Sequence, residues 1–195
     1  FMKTIIIASC IAITLMSSVG CNRKVARISE NKEVDLSGRW NNTDSRLTAE
    51  EIIKECQSGA WIGNHLTKTQ KKPTVIVGFV KNKSHEHIEA ETFVLDLEKS
   101  FINQGQVRLI QGGEKRNEIR GERADQQDNA SQSTMKQFGL EVGADYMLQG
   151  DINSIVDSYK RKKVVYYQIN LQLTDLQTNE VVWIGDKKIT KYVKN

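Results

Sequence analysis

The sequence has very few residues that form cross-links or rigid spacers. Its 195 residues include three cysteines and one proline. Cys10 and Cys21 lie in the first 21 residues, which leaves Cys56 as the only cysteine of the remaining chain. One thiol forms no intramolecular disulfide, so the hydrophobic core must hold the fold alone. The helical spacing of Cys56 with Ile52 and Ile53 predicts a small buried hydrophobe. The single proline excludes a proline-rich spacer.

Catalytic and cofactor motifs are also missing. The sequence contains no G-x-x-x-x-G-K-[ST], G-x-S-x-G, C-x-x-C or H-E-x-x-H pattern. His85, Glu86 and His87 are close enough in sequence to share a metal ion, but the pattern supplies no fourth ligand and no water-activating carboxylate. Nothing combines a nucleophile, a base and an orienting group. We therefore predict a protein that is not an enzyme and has no catalytic residues, no metal site and no cofactor.

Basic and acidic residues are nearly balanced, so the sequence lacks a large excess of either charge. The formal net charge is +4, and 38% of the residues are hydrophobic. Loss of Lys3 with the N-terminal segment described next would lower the charge from +4 to +3. Such a mild excess is not typical of nucleic-acid-binding proteins, and the composition predicts one soluble domain.

The N-terminus has the pattern of a secretory signal. Lys3 precedes an apolar run at residues 5–16, and small residues follow as far as Gly20. The apolar run is too short to span a membrane. Because Cys21 follows directly, the segment resembles a bacterial lipoprotein signal. The resemblance implies cleavage between Gly20 and Cys21 and lipid on Cys21. The alternative is an ordinary signal with an incidental cysteine.

The domain boundaries follow from this interpretation. Residues 1–20 are the signal, residues 21–33 are the lipidated cysteine and a short tether, and residues 34–195 are the globular domain. A tether of about twelve residues reaches at most roughly 40 Å. Asn22, rather than aspartate, follows the cysteine. The resemblance therefore implies an outer-membrane protein whose domain faces the periplasm.

Alternating polarity predicts three strands near the C-terminus. Tyr146, Leu148 and Ile152 share one face of the first strand, and the second strand runs from residue 164 to 176. A third strand begins at residue 181. The short connections between them predict an antiparallel meander in which Leu171 is buried and Trp183 lies on the face packed by a helix.

The preceding sequence supplies helices and further strands. We predict a helix over 47–62, with a capping box at Thr48 and Glu51 and a stop at Gly63, followed by a polar loop. Strands at 74–80 and 107–110, helices at 90–103 and 131–142, and an exposed helix or ordered loop at 114–129 complete the chain. The helix at 131–142 is expected to bury Met135, Phe138 and Val142. The fold class is α/β (α+β): one mixed, largely antiparallel sheet with a carboxy-terminal meander, flanked by helices on both faces.

Two polar segments are candidate partner surfaces. Between residues 114 and 129 only Ile119 and Ala124 are apolar, which is typical of a solvated face but also suits a polar partner. The second segment is the loop after the strand at 74–80. The candidate contact residues are Arg116, Arg120, Arg123, Asn82, His85 and Glu86. The basic turn at 160–163 could attract anionic lipid or an acidic partner, although a solvated hairpin turn is the simpler interpretation.

Four sequence blocks resemble LpoB-type activators of penicillin-binding proteins. They are VDLSGRW at 34–40 together with DSRL at 44–47, VGFVKNKSHEHI at 77–88, GADYMLQG at 143–150, and DLQTNEVVW at 175–183. The last two blocks are also similar to the wider CsgG and TolB amino-terminal group. The resemblance covers nearly all of residues 34–193.

The resemblance implies an outer-membrane lipoprotein that binds a class A penicillin-binding protein and stimulates its peptidoglycan synthesis. It implies a monomer, held at the membrane through lipid on Cys21, with a peptidoglycan synthase as its partner. Relatives in enteric bacteria carry a long proline-rich tether, whereas about twelve residues follow Cys21 here. Two alternatives stay open: a structural envelope lipoprotein, and a CsgG-like secretion or assembly component. The second would need additional pore-lining strands.

Overall fold

The structure, a computed structural model, describes residues 25–29, 32–137 and 139–194. The chain divides into two compact units, residues 1–32 and residues 33–195. In the first unit, the described residues have no regular secondary structure and are exposed. The predicted signal, the cleavage site at Gly20 and the lipidated Cys21 lie outside the described residues and stay predictions. None of the described helices is both long enough and apolar enough to cross a membrane.

The second unit contains every described helix and strand. In chain order they are α1 (Asn42–Ser58), α2 (Ala60–Thr69), β1 (Thr74–Asn82), α3 (Ala90–Gln104), β2 (Arg108–Leu109), α4 (Gly113–Asn129), β3 (Tyr146–Tyr159), β4 (Lys162–Asp175) and β5 (Val181–Lys194). The strands form one sheet in the order β2-β1-β3-β4-β5. Strand β1 pairs in parallel with β2 and with β3. Strand β4 pairs antiparallel with β3 and with β5. The predicted fold class, a mixed sheet with helices, is confirmed.

The C-terminal meander positions the core. Leu148 pairs with Leu173, and Ile152 pairs with Ile169, so their side chains share one face. Leu171 on this face is 1% exposed, as predicted, and Trp183 packs against the core from β5. The helices α1 and α3 contribute Ile53, Phe93 and other apolar residues to the same cluster. In the part of the chain that the structure describes, the core side chains and the apolar residues packed against them lie between residues 40 and 189, so residues 33–195 form a self-contained folding unit.

Cys56 occupies the predicted place in this core. It is fully buried on α1, and burial raises the pKa of its thiol to about 12. The thiol therefore stays neutral at physiological pH and packs as a small hydrophobe.

The opposite face of the sheet has a different character. At β1, Ile76 is buried there, and Gly112, the residue before α4, packs on its side chain. Along β3, β4 and β5 this face carries polar cross-strand partners such as Gln149 with Gln172 and Asp151 with Asn170. These residues are half-buried.

The predicted start of the first helix was wrong. The helix α1 begins five residues earlier, because Asn41 accepts hydrogen bonds from the backbone N–H groups of Thr43 and Asp44. Asp44 in return accepts from the Asn41 backbone, which completes a capping box. Thr48 lies inside the helix and is 1% exposed. Asparagine is a strong N-cap and gives the earlier start.

The predicted stop at Gly63 was also wrong. The break falls at Gly59, and α2 then continues through Gly63 and His65 to Thr69. Gly63 has open space around its Cα, so the helix accommodates it at a modest propensity cost. His65 is buried and bonds to the Tyr146 hydroxyl at 3.0 Å. The polar loop therefore shrinks to the residues just before β1.

The predicted helix at 131–142 does not form. The described residues of this segment make a turn at 132–134 and an irregular connection, and Val142 is 45% exposed. Met135 is half-buried, and Phe138 lies outside the described residues. Gly139 adopts a left-handed φ of 76°, which ends any helical run. Gly139, inside the predicted helix, outweighs a short apolar stripe.

Candidate partner-binding surface

The helix α4 is polar around its whole circumference. It has no buried residue. Side-chain bonds one turn apart support it, from Gln126 to Glu122 and from Asn129 to Asp125. Since a polar helix gains little from packing on the core, its surface is open to a partner.

Two of the predicted arginines bind one carboxylate. Arg120 donates to Glu141 through Nε and Nη2, at 3.1 and 2.9 Å, and Arg123 donates through Nη1 at 2.8 Å. These hydrogen bonds, from Arg120 first and Arg123 second, lower the pKa of Glu141 to about 2. The carboxylate is therefore ionised at neutral pH and ties the segment after Gly139 back to α4.

Arg116 completes a row on the same helix. Its Nε donates to the Gln111 backbone carbonyl at 2.7 Å. Positions 116, 120 and 123 follow the i, i+4, i+7 spacing of one helical face, and we call Arg116, Arg120 and Arg123 the arginine face. Among the described residues, the side-chain bonds of each guanidinium use only one or two of its three nitrogens. The other N–H groups can bind acidic groups of a partner.

The loop after β1 is held by its own polar side chains. Asn82 accepts hydrogen bonds from the backbone N–H and hydroxyl of Ser84, at 2.9 and 2.7 Å. Its amide donates to the Glu86 carbonyl at 2.8 Å. This Asx turn makes Asn82 the residue that shapes the loop.

The Glu86 carboxylate attaches the loop to the core. Its side chain is 10% exposed, and it accepts hydrogen bonds from the Tyr167 hydroxyl at 2.8 Å and the Trp40 backbone at 3.1 Å. Burial, and then the bond to Glu86, raise the pKa of Tyr167. The Trp40 ring packs edge-on against Phe93 and Tyr167. Glu86 thus positions the loop and presents little of its side chain to a partner.

His85 is the exposed member of the loop. Its side chain is 35% exposed, and its Nδ1 lies 2.6 Å from the Ser154 hydroxyl on β3. The ring stacks on Tyr167 with centroids 6.4 Å apart. No hydrogen bond or ion pair joins this loop to α4 in residues 32–137 and 139–194. The two candidate surfaces are therefore held independently.

A buried ion cluster fixes the segment that leads into α1. Lys191 on β5 is 7% exposed. Its ammonium bonds to Asp35 at 2.6 Å, Asp44 at 2.5 Å and the Arg39 carbonyl at 3.0 Å. Sequence analysis missed this cluster, because Lys191 and Asp44 are 147 residues apart and follow no local pattern. Through Trp40, it supports the loop that carries His85.

Metal binding was considered at His85, Glu86 and His87. No group of three or more metal-ligating side chains occurs within the part of the chain that the structure describes. His85 Nε2 instead lies 3.3 Å from the Glu86 carboxylate.

Comparison with protein families identifies the family of this chain. The family model for the peptidoglycan-synthase activator LpoB matches residues 44–189, which include most of α1, the elements from α2 to β4, the arginine face and most of β5. This chain belongs to the LpoB family. The resemblance found in the sequence is confirmed. LpoB proteins are activators of peptidoglycan synthases.

Several solved structures also match this chain at low sequence identity. The LpoB C-terminal domain from Escherichia coli is 15% identical, and the match covers 75% of this chain and 98% of that domain with a TM-score of 0.45. The Salmonella enterica LpoB domain gives the same identity and coverage with a TM-score of 0.44. Lipoprotein GNA1162 from Neisseria meningitidis is 12% identical over 62% of this chain and 83% of that protein, with a TM-score of 0.42. A comparison with curated protein sequences gives no match.

Proposed function

We propose that this chain is an outer-membrane lipoprotein that binds a class A penicillin-binding protein and stimulates its peptidoglycan synthesis. The observation that carries the proposal is the LpoB family match over residues 44–189. Two properties of the chain support it. The sequence has no recognisable catalytic motif, so an effect on synthesis must come from binding. The fold also presents two polar surfaces that are formed before binding, one on α4 and one on the loop that Glu86 attaches to the core.

The proposed anchor is lipid on Cys21. Replacing Cys21 with alanine should release the protein from membranes, because the variant cannot carry acyl chains. Each CH₂ of such a chain contributes about 0.8 kcal/mol to membrane binding when it is buried in the bilayer. Cys10→Ala is the matched control, since Cys10 lies in the segment that cleavage removes. Washed membranes from cells expressing each variant would be probed for the protein. Retention of the Cys21→Ala variant would refute the anchor without touching the activator proposal.

The arginine face is the proposed docking surface for the synthase. Cationic guanidinium groups recognise carboxylates with two parallel hydrogen bonds and speed the encounter with an acidic patch. The helix that carries them is supported by its own side-chain pairs, so the arginines are already in place before binding. His85, on its fixed loop, is the proposed second contact. Asn82 and Glu86 act by holding that loop.

Charge reversal tests this surface. The variant Arg116→Glu, Arg120→Glu, Arg123→Glu should weaken stimulation of the synthase at least about tenfold at low salt, because electrostatic steering is lost. The wild-type effect should also fall as salt rises. The measurement is synthase turnover against the concentration of each variant, with circular dichroism to show that the domain is folded.

Two control variants separate charge from structure. Glu141→Gln removes the carboxylate that Arg120 and Arg123 share but keeps the arginine face, so stimulation should persist. Replacing the exposed Lys54, Lys68 and Lys71 with glutamate changes the net charge by the same amount but leaves the arginine face intact. Equal losses in this lysine variant would show that net charge acts rather than the arginine face. Full stimulation by the arginine variant at every salt concentration would place the contact elsewhere.

A further inference from the structure

The turn end of strands β3 and β4 carries an exposed hairpin. Residues 155–162, which include the two-residue turn between β3 and β4, are all exposed. The hairpin is nevertheless well formed, because β3 and β4 stay paired from Tyr146 with Asp175 as far as Tyr159 with Lys162. The structure therefore projects a rigid tip away from the core.

Large apolar side chains gather on one face of this tip. Ile155 pairs with Tyr166, and Val164 pairs with Tyr192, on the face opposite α1 and α3. Ile155 and Tyr159 are each 71% exposed, Tyr192 is 59% exposed and Tyr166 is 45% exposed. Cross-strand neighbours in a sheet lie close enough to make one apolar strip, which Asp157 interrupts where it pairs with Val164.

Basic side chains surround the strip. Within residues 155–166 and 188–194, the only carboxylate is Asp157. The basic residues on the same stretches, apart from the buried Lys191, are Lys160, Arg161, Lys162, Lys163, Lys188 and Lys194. A depression of about 510 Å³ lies at the tip and is lined by Tyr159, by Lys194 and by residues 160–162. A plain solvated turn would explain the charges but not the aromatic strip beside them.

The turn residue itself points to a role outside folding. Lys160 adopts a left-handed φ of 54°, which glycine and asparagine adopt at lower cost. Its ammonium lies 5.3 Å from the centre of the Tyr159 ring. A lysine at this position is therefore not the choice that best stabilises the turn.

We propose that this tip, the hairpin-end surface, docks on an anionic lipid bilayer. Tyrosine and isoleucine enter the headgroup region of a bilayer, while lysine and arginine extend to the phosphates. Basic residues add attraction to anionic lipid. A second copy of the chain is disfavoured as the occupant, because two such tips repel each other. A projecting tip suits a soft, planar surface better than the pocket of an acidic protein. The proposal does not depend on synthase activation.

Vesicle binding by residues 33–195 tests the proposal, since this unit contains the whole core. The domain should sediment with phosphatidylcholine vesicles that contain about 30% phosphatidylglycerol, and about tenfold less with pure phosphatidylcholine. Added salt should weaken the binding. In the Ile155→Trp variant, tryptophan emission should shift to shorter wavelength when the anionic vesicles are added.

Paired variants identify the groups that act. Lys160→Glu with Arg161→Glu, and separately Ile155→Ser with Tyr159→Ser, should each reduce binding at least about tenfold. Lys68→Glu with Lys71→Glu makes the same charge change on α2 and the residues that follow it, and should leave binding intact. Lys160→Gly should weaken binding while it raises the melting temperature, which a damaged fold would not do.

Three results would overturn the proposal. The first is no binding to the anionic vesicles. The second is an equal loss in the Lys68 and Lys71 control, which would show that net charge alone acts. The third is binding of polyglutamate, but not vesicles, by the hairpin-end surface, which would assign the surface to an acidic protein.

Discussion

Replacing Lys191 with methionine should lower the free energy of unfolding by about 3–5 kcal/mol, the usual effect of breaking a buried ion pair from one side. Methionine keeps the side-chain volume but removes the ammonium that bonds to Asp35, Asp44 and the Arg39 carbonyl. The Asp44 side chain is 9% exposed, so its carboxylate would stay largely buried without a cation. Urea unfolding followed by circular dichroism measures the change.

Lys187→Met is the matched control on the same strand. Lys187 also pairs with a carboxylate, but its partner Glu51 is 59% exposed. Exposed ion pairs contribute about 0–1 kcal/mol, so this variant should unfold almost like the wild type. Adding Asp44→Asn to Lys191→Met should restore part of the loss, because the unpaired charge is then absent. Equal stability of the Lys191 and Lys187 variants would contradict the structural role of the cluster.

The Lys191 cluster also bears on function. It holds the segment that ends at Trp40, whose backbone donates to Glu86 and whose ring packs on Tyr167. The loop that presents His85 therefore depends on contacts that begin at β5. A loosened segment should weaken any activity that uses this loop.

The strands could be predicted from the sequence because their signal is local. Alternation with a period of two and short polar turns gave β3, β4 and β5, and a run of β-branched residues gave β1. The core position of Leu171 followed from the same alternation. The family resemblance rested on three blocks in these strands and their connections, and on one block at 34–47 that leads into α1.

Helix boundaries were less predictable, because competing local signals decide them. Asn41 and Thr48 both have a partner acid three residues later, and only packing shows that Thr48 belongs inside α1. The apolar stripe at 131–142 predicted a helix that the left-handed Gly139 prevents. Residue spacing alone therefore identifies neither the true start of α1 nor the absence of a helix at 131–142.

The candidate surfaces show a similar division. The exposure of α4 followed from its lack of apolar residues. The hydrogen bonds from Arg120 and Arg123 to Glu141 could not be predicted, because they depend on how the irregular connection after α4 folds back. Glu86 looked like a surface residue because its partners, Trp40 and Tyr167, are 46 and 81 residues away in sequence. The aromatic strip at the hairpin end became visible only from the pairing of β3, β4 and β5.

The most direct test of the proposed function is synthase turnover on lipid-linked precursor in the presence of residues 33–195, without lipid or tether. The proposal predicts that this domain raises the turnover of a class A penicillin-binding protein from its own organism in a saturable way. The domain alone should leave the precursor unchanged. Turnover that stays constant at every concentration of the folded domain would contradict the proposal.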